Sequence, residues 1–307
     1  ESAEARKRYL ELLNRALASQ PGGADREAAA RQAAQAAQSA ARGTQNAGMS
    51  EGLGKQAALK IYSVDIEETE MGGVRISVYT ARDITPRNRK RIVMEFESDG
   101  EAIVLAAVGK MKVVSVHYAG AYLKSNTDIA AVYRTLLKSY KPSQIAMFGI
   151  SGGCQLAANT AAWLPTQNLP FPAALGLLSC AGGGSPGDAR NTMNGFDPQL
   201  SDFTAFGAGR RSRPAQAPVK AGDPEREILN VSTIPKGFPP SYLLTGTRDM
   251  CLSETALLHR KLRDAGVDAD LNIFEGMWHA FNIEPDLPET KAALADLARF
   301  LDRHMAS

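Results

Sequence analysis

The stretch Gly149-Ile150-Ser151-Gly152-Gly153 constrains the fold most. It follows the apolar run Gln144-Ile145-Ala146-Met147-Phe148 and precedes the small-residue run from Cys154 to Ala162. That order reads as a buried strand, a sharp turn and a helix, with Ser151 at the apex. A serine there sits on a strained backbone, with its hydroxyl exposed and the next backbone N–H at a helix start. Glycines at 149, 152 and 153 suit a turn in which strand and helix pass too close for a Cβ. The spacing G-x-S-x-G is weak by itself, since an ordinary strand-to-helix turn can carry it. The flanking strand and helix make Ser151 a candidate nucleophile.

A nucleophilic serine needs a base and an acid, and on this architecture they follow it in the order acid, then histidine. After Ser151 the histidines are His259, His279 and His304. His259 falls inside an amphipathic helix marked by Leu257, Leu258 and Leu262, and His304 lies at the end of the sequence. His279 follows the strand-like Asp270-Leu271-Asn272-Ile273-Phe274 and Gly276, so a loop can carry its imidazole into a cleft. Asp249 follows the buried run Tyr242-Leu243-Leu244-Thr245-Gly246-Thr247-Arg248. A carboxylate at the end of a strand lies on the ligand-binding edge of an open α/β sheet and can orient the imidazole. The alternatives are a helix-capping role for Asp249 and the weaker acid candidate Glu275.

Three segments then carry a family resemblance: Pro239-Pro240-Ser241-Tyr242-Leu243-Leu244-Thr245-Gly246-Thr247-Arg248-Asp249, Leu257-Leu258-His259-Arg260-Lys261-Leu262, and Phe274-Glu275-Gly276-Met277-Trp278-His279-Ala280-Phe281. With Lys112 to Tyr118 and Ala131-Val132-Tyr133-Arg134, they resemble the hormone-sensitive-lipase-like α/β-hydrolases over residues 62–305, poorly at 181–235. The resemblance implies carboxylester hydrolysis by a Ser151–Asp249–His279 triad on short acyl esters, with no cofactor. An amidase or lactonase on the same scaffold, and a catalytically silent binding protein, stay open. The family carries a His-Gly-Gly-Gly loop after the strand matching Arg91 to Phe96. Here that strand runs into Glu97-Ser98-Asp99-Gly100, and Ala119-Gly120-Ala121-Tyr122 replaces an Arg-Leu-Ala-Pro-type segment. The expected oxyanion donors are the Gly152 N–H and a second N–H near Ser98 or Gly100.

The wider pattern fits an α/β-hydrolase fold. Ile61 to Thr69 and Val74 to Thr80 around Gly72-Gly73 read as an antiparallel hairpin. Strands are expected near 91–96, 112–117, 144–148, 173–179, 241–246 and 269–274, and helices near 101–109, 127–139, 152–163 and 253–265. A last helix carries Leu294, Leu297 and Leu301 on one face. Alternation of this kind predicts a mostly parallel central sheet with helices on both faces.

Two regions depart from it. Residues 1–60 form an Ala/Gln-rich helical segment, a cap or a linker: Tyr9, Leu10, Leu13 and Leu17 mark a first helix, while Ala24 to Gly48 holds no Leu, Ile, Val or Phe. In the resembled family such a segment folds over the active-site mouth; a disordered leader is the other reading. The hydrolase domain spans 61–307, with a small helical cap inserted at about 181–239, where Phe196, Leu200, Phe203 and Phe206 either line the substrate entrance or pack the cap down.

A net charge of +2 on 307 residues is too mild to argue for nucleic acid, and no apolar run approaches the about 18–20 residues of a membrane span. The partner expected is a small ester; the oligomeric state is left open. Cys154, Cys180 and Cys251 suggest buried free thiols, and the four histidines show no metal-ligand spacing. A start at Glu1 rather than methionine fits a removed signal peptide or a trimmed chain, so the compartment stays open.

Overall fold

The structure, a computed structural model, describes residues 2–18, 47–96, 98–118, 125–180, 188–189 and 234–307. Its centre is an eight-stranded sheet: β1 (Val64–Met71), β2 (Val74–Ala81), β3 (Ile92–Phe96), β4 (Lys112–His117), β5 (Ile145–Ile150), β6 (Ala174–Leu178), β7 (Ser241–Gly246) and β8 (Ala269–Phe274). The spatial order is β1-β2-β4-β3-β5-β6-β7-β8. β1 pairs antiparallel with β2, β2 antiparallel with β4, and every later pair is parallel. The β1–β2 turn sets both Gly72 (φ 64°) and Gly73 (φ 82°) in the left-handed region. A two-residue hairpin turn matching the twist of its strands requires that. β1 and β8 are the edge strands, and Asp65, Glu67, Glu68 and Glu70 of β1 are exposed, which discourages pairing with another chain. β3, β5, β6 and β7 are buried throughout, as strands covered on both faces must be.

Seven helices of the described residues flank or follow the strands: α1 (Ala3–Ala18), α2 (Ala47–Ile61), α3 (Asp99–Gly109), α4 (Asn126–Leu136), α5 (Gly152–Trp163), α6 (Leu252–Asp264) and α7 (Pro288–His304). One face of the sheet is covered by α3 and α7, through Ile103, Leu105, Leu294, Leu297, Phe300 and Leu301. The other is covered by α4, α5 and α6, through Ile129, Tyr133, Leu156, Ala157, Leu258 and Leu262. Each fully buried leucine in these layers contributes about 1.5–3 kcal/mol.

Several expectations need correction. Ile61 ends α2 instead of opening a strand, because α2 packs on α3 before the chain turns into the sheet. There the backbone of Gly54 lies against Gly100, where a Cβ would approach Gly54 to 3.1 Å. Helix α4 stops at Leu136, ahead of its expected end, and Leu137 closes it with a turn. Cys154 and Cys180 are not free thiols. They form a disulfide with their Cα atoms 5.5 Å apart, because α5 runs back along β6 and brings them together across 26 residues. The stretch from Ala24 to residue 46 and nearly all of 181–233, with Phe196, Leu200, Phe203 and Phe206, lie outside the described residues.

Candidate active site

Ser151 stands between β5 and α5 with φ 49° and ψ −108°, a left-handed-side conformation that a non-glycine residue adopts only when its surroundings enforce it. The enforcement is visible. The Ser151 N–H donates to the Leu178 carbonyl at 2.9 Å, and a Cβ at Gly149 would strike the backbone of Gly153. Only glycine at 149 lets α5 start this close to the strand that precedes it.

Asp249 and His279 reach the same edge from β7 and β8. Their two loops are zipped together: the Thr247 N–H donates to Phe274 O at 3.0 Å, and the Arg248 N–H to Met277 O at 2.9 Å. Gly246 permits this, since any Cβ there would overlap Met277. The result is a continuous chain of hydrogen bonds. Asp249 Oδ1 lies 2.9 Å from His279 Nδ1, and His279 Nε2 lies 2.9 Å from Ser151 Oγ. With Nδ1–H donating to the carboxylate, Nε2 presents a lone pair to the serine hydroxyl. Asp249 is 0% and His279 5% exposed.

Burial alone would raise the Asp249 carboxyl, but the His279 charge and hydrogen bond, with donors from Cys251 N and Thr245 Oγ1, bring it below the ordinary range. Burial alone would likewise lower His279; the Asp249 charge and hydrogen bond outweigh it and raise the imidazole well above its usual value. The Asp249 carboxylate therefore favours a proton on the imidazole, and the imidazole favours the ionised carboxyl.

Of the other histidines, His259 Nε2 contacts Ala269 O at 3.1 Å, and His304 stacks on Phe300 near Asp268, both away from Ser151. Gly152 is the first residue of α5. The expectation for Ser98 is corrected: its N–H donates to the buried Glu95 carboxylate at 2.6 Å, which also accepts from Ser115 Oγ at 2.9 Å. Gly100 lies in the first turn of α3, where backbone N–H groups have no acceptor within the helix. Asp99 does not face solvent. It is buried beside Lys55 Nζ at 3.4 Å, so its charge is matched.

Five contacts were not legible from the motifs. Thr245 Oγ1 donates to Asp249 Oδ2 at 2.9 Å, and the Cys251 N–H to Oδ1 at 2.8 Å. Ser179, buried at φ 47°, accepts the Ala280 N–H on its Oγ at 3.2 Å and so ties down the residue after His279. On α1, Tyr9 lies under the Arg248 guanidinium at 4.1 Å and 6.2 Å from the Trp278 ring, bracing the neighbours of both Asp249 and His279. The available signal was the hydroxyl of Thr245 near the end of a buried strand, since a buried polar group needs a partner.

The alpha/beta hydrolase fold family model matches residues 93–283. The chain belongs to that family. It is 27% identical over 221 residues to the carboxylesterase/phospholipase LipF of Mycobacterium tuberculosis, covering 70% of this chain and 57% of LipF; it thus spans little more than half of that relative's length. It is 30% identical to the crystal structure of an esterase, E25, with 84% of each chain covered and a TM-score of 0.71. An esterase from the bacterial hormone-sensitive lipase family shares the fold over the full length of both chains, at 19% identity and a TM-score of 0.73. No helix among the described residues is long and apolar enough to cross a membrane.

Proposed function

We propose that the protein is a hormone-sensitive-lipase-like serine hydrolase that cleaves carboxylic esters with short acyl chains. The observation that carries the reading is the unbroken Asp249–His279–Ser151 hydrogen-bond chain ending at a strained serine. In this reading Ser151 Oγ attacks the ester carbonyl while His279 Nε2 takes its proton, and Asp249 stabilises the imidazolium. His279 returns the proton to the leaving alcohol, and water then cleaves the acyl-enzyme by the same route. The Gly152 N–H holds the oxyanion, with the Gly100 N–H as the second donor. That pair is sparser than a glycine-rich loop provides, and loss of one donor costs about 10²–10³ in rate.

The test is labelling by a fluorophosphonate probe together with hydrolysis of p-nitrophenyl butyrate. Wild-type protein labels at Ser151 and turns over the ester; Ser151→Ala does neither and keeps its circular dichroism melt. Absence of labelling in folded wild-type protein would favour the silent binding protein instead. Amide and lactone substrates run beside the ester separate the remaining alternatives.

A further inference from the structure

The residue two positions after the acid is Cys251, 2% exposed and beside both Asp249 and His279. Ligand atoms of Asp249, Cys251 and His279 all lie within 4.8 Å of one another. With Cys154 and Cys180 joined, Cys251 is the one free thiol of a chain with three cysteines. Carboxylate, thiolate and imidazole are the ligand types that zinc and its softer relatives select. The geometry suits them. A tetrahedral ion at ~2.0–2.2 Å from nitrogen and oxygen sets those atoms about 3.3 Å apart, against 2.9 Å between His279 Nδ1 and Asp249 Oδ1 now. A movement of a few tenths of an ångström therefore lets an ion take the place of the proton in that hydrogen bond. Charge also balances: one carboxylate and one thiolate neutralise a dication in a site where unmatched charge is costly.

We propose that Asp249, Cys251 and His279 form an inhibitory binding site for a soft divalent cation of the zinc or cadmium type. Binding forms metal–oxygen, metal–sulfur and metal–nitrogen bonds. It breaks the Cys251 S–H bond and releases that proton to solvent, while the single N–H of the neutral His279 imidazole passes from Nδ1 to Nε2, with no change of oxidation state. At rest the thiol is neutral, since burial pushes it up to about 11, so the empty site leaves the Asp249–His279 hydrogen bond undisturbed. With the ion on Nδ1 and the ring N–H on Nε2, the imidazole has no lone pair left to take the serine proton, and Ser151 keeps it. Magnesium and calcium, which seek oxygen ligands, do not compete.

The inhibitory half of this proposal rests on the hydrolase reading, whereas the binding half does not, and the experiment separates them. Purified wild-type protein is titrated with cadmium chloride in thiol-free buffer, following the ultraviolet thiolate-to-cadmium absorption, p-nitrophenyl butyrate turnover and fluorophosphonate labelling. The expected result is one cadmium per chain, an absorption that saturates in step with loss of turnover and of labelling, reversal by EDTA, and no effect of magnesium. Cys251→Ser and Cys251→Ala should both abolish the absorption, and whichever folds should need at least about tenfold more cadmium for the same fractional inhibition of its own metal-free rate, the usual range for losing one partner at a metal site. Equal sensitivity of wild type and variants, or cadmium bound with turnover intact, would overturn it. Were the wild type to hydrolyse no ester, the absorption and its loss in the variants would still decide the binding site, while the hydrolase reading would fail on its own.

Discussion

Replacing Thr245 by valine separates what holds the buried acid in place from what the acid does for the imidazole. Asp249 is fully buried, and its two oxygens are served differently. Oδ1 accepts from the Cys251 N–H and from His279, whereas Thr245 Oγ1 is the donor to Oδ2 at 2.9 Å. Valine keeps the shape of threonine and removes that donor. A hydrogen bond to a charged group contributes about 1.5–3 kcal/mol, and an abandoned buried acceptor loses that amount. Thr245→Val should therefore lower the urea-unfolding free energy at pH 7 by about 2 kcal/mol. The Oδ1 contact that orients His279 survives, so kcat/KM should fall by less than about tenfold, against the roughly 10⁴ expected of Asp249→Asn, which permits the wrong tautomer. The acid limb adds a signed check. The folded Asp249 carboxyl lies below its ordinary value, so its stabilisation is complete above about pH 4 and is lost as pH falls through the lower folded value. Removing a donor to the charged form raises that folded value, and acid unfolding of the variant should begin at higher pH. Unchanged stability, or a rate loss as large as that of Asp249→Asn, would refute the division of labour between the two oxygens.

The His279 imidazole is raised above its ordinary ~6.5, so log kcat/KM should rise with pH through one ionisation whose midpoint lies above that value, in a stopped-flow or plate assay; His259→Ala should leave the profile in place. The stability contributed by His279 has the opposite sense to that of Asp249: it is complete below about pH 6.5 and lost as pH rises through the folded value, which a pH series of melts checks. Tyr9→Ala should cost roughly 3 kcal/mol, the low end for truncating a large buried aromatic, shift the Trp278 fluorescence and lower kcat, because it removes the ring that braces Arg248 and Trp278 together. Inserting a His-Gly-Gly-Gly-containing loop after Phe96 should raise kcat by about 10² with little change in KM, since an oxyanion donor acts in the transition state; a wild-type kcat already in the hundreds per second would show that a full set of donors exists.

What was legible in the sequence is what a short segment enforces on itself. Gly149-Ile150-Ser151-Gly152-Gly153 admits few backbone paths, so the strand, the turn, the helix and the serine at its apex could be read together. Asp249 and His279 were legible for a related reason: one follows the buried strand β7 and the other the edge strand β8, and the alternating pattern had already set the direction of both. The β1–β2 hairpin followed from Gly72-Gly73, whose left-handed pair is a local demand. Helix α2 lies in the segment expected to be helical, but its end at Ile61 was not legible, because its place is set by a tertiary contact, the close approach of Gly54 to Gly100.

Among the contacts that escaped the sequence, several join residues far apart in the chain and converge on one short segment. Leu178 O accepts the Ser151 N–H, Ser179 Oγ accepts the Ala280 N–H beside the base, and Cys180 O accepts from Thr255 Oγ1 on the helix that follows the acid. The Cys154–Cys180 disulfide then ties this junction to the helix that begins at the serine. The end of β6 supplies no member of the proposed triad, yet it touches the element that carries each one. Its sequence, Leu-Leu-Ser-Cys, holds nothing that reads as catalytic, because its work is to fix distances between other segments. That also accounts for the left-handed φ of Ser179 and of Ala280. Two residues other than glycine are held in a conformation that costs about 1–3 kcal/mol each, and the hydrogen bond between them falls beside His279, where a tolerance of a few tenths of an ångström decides whether Nε2 meets the serine hydroxyl.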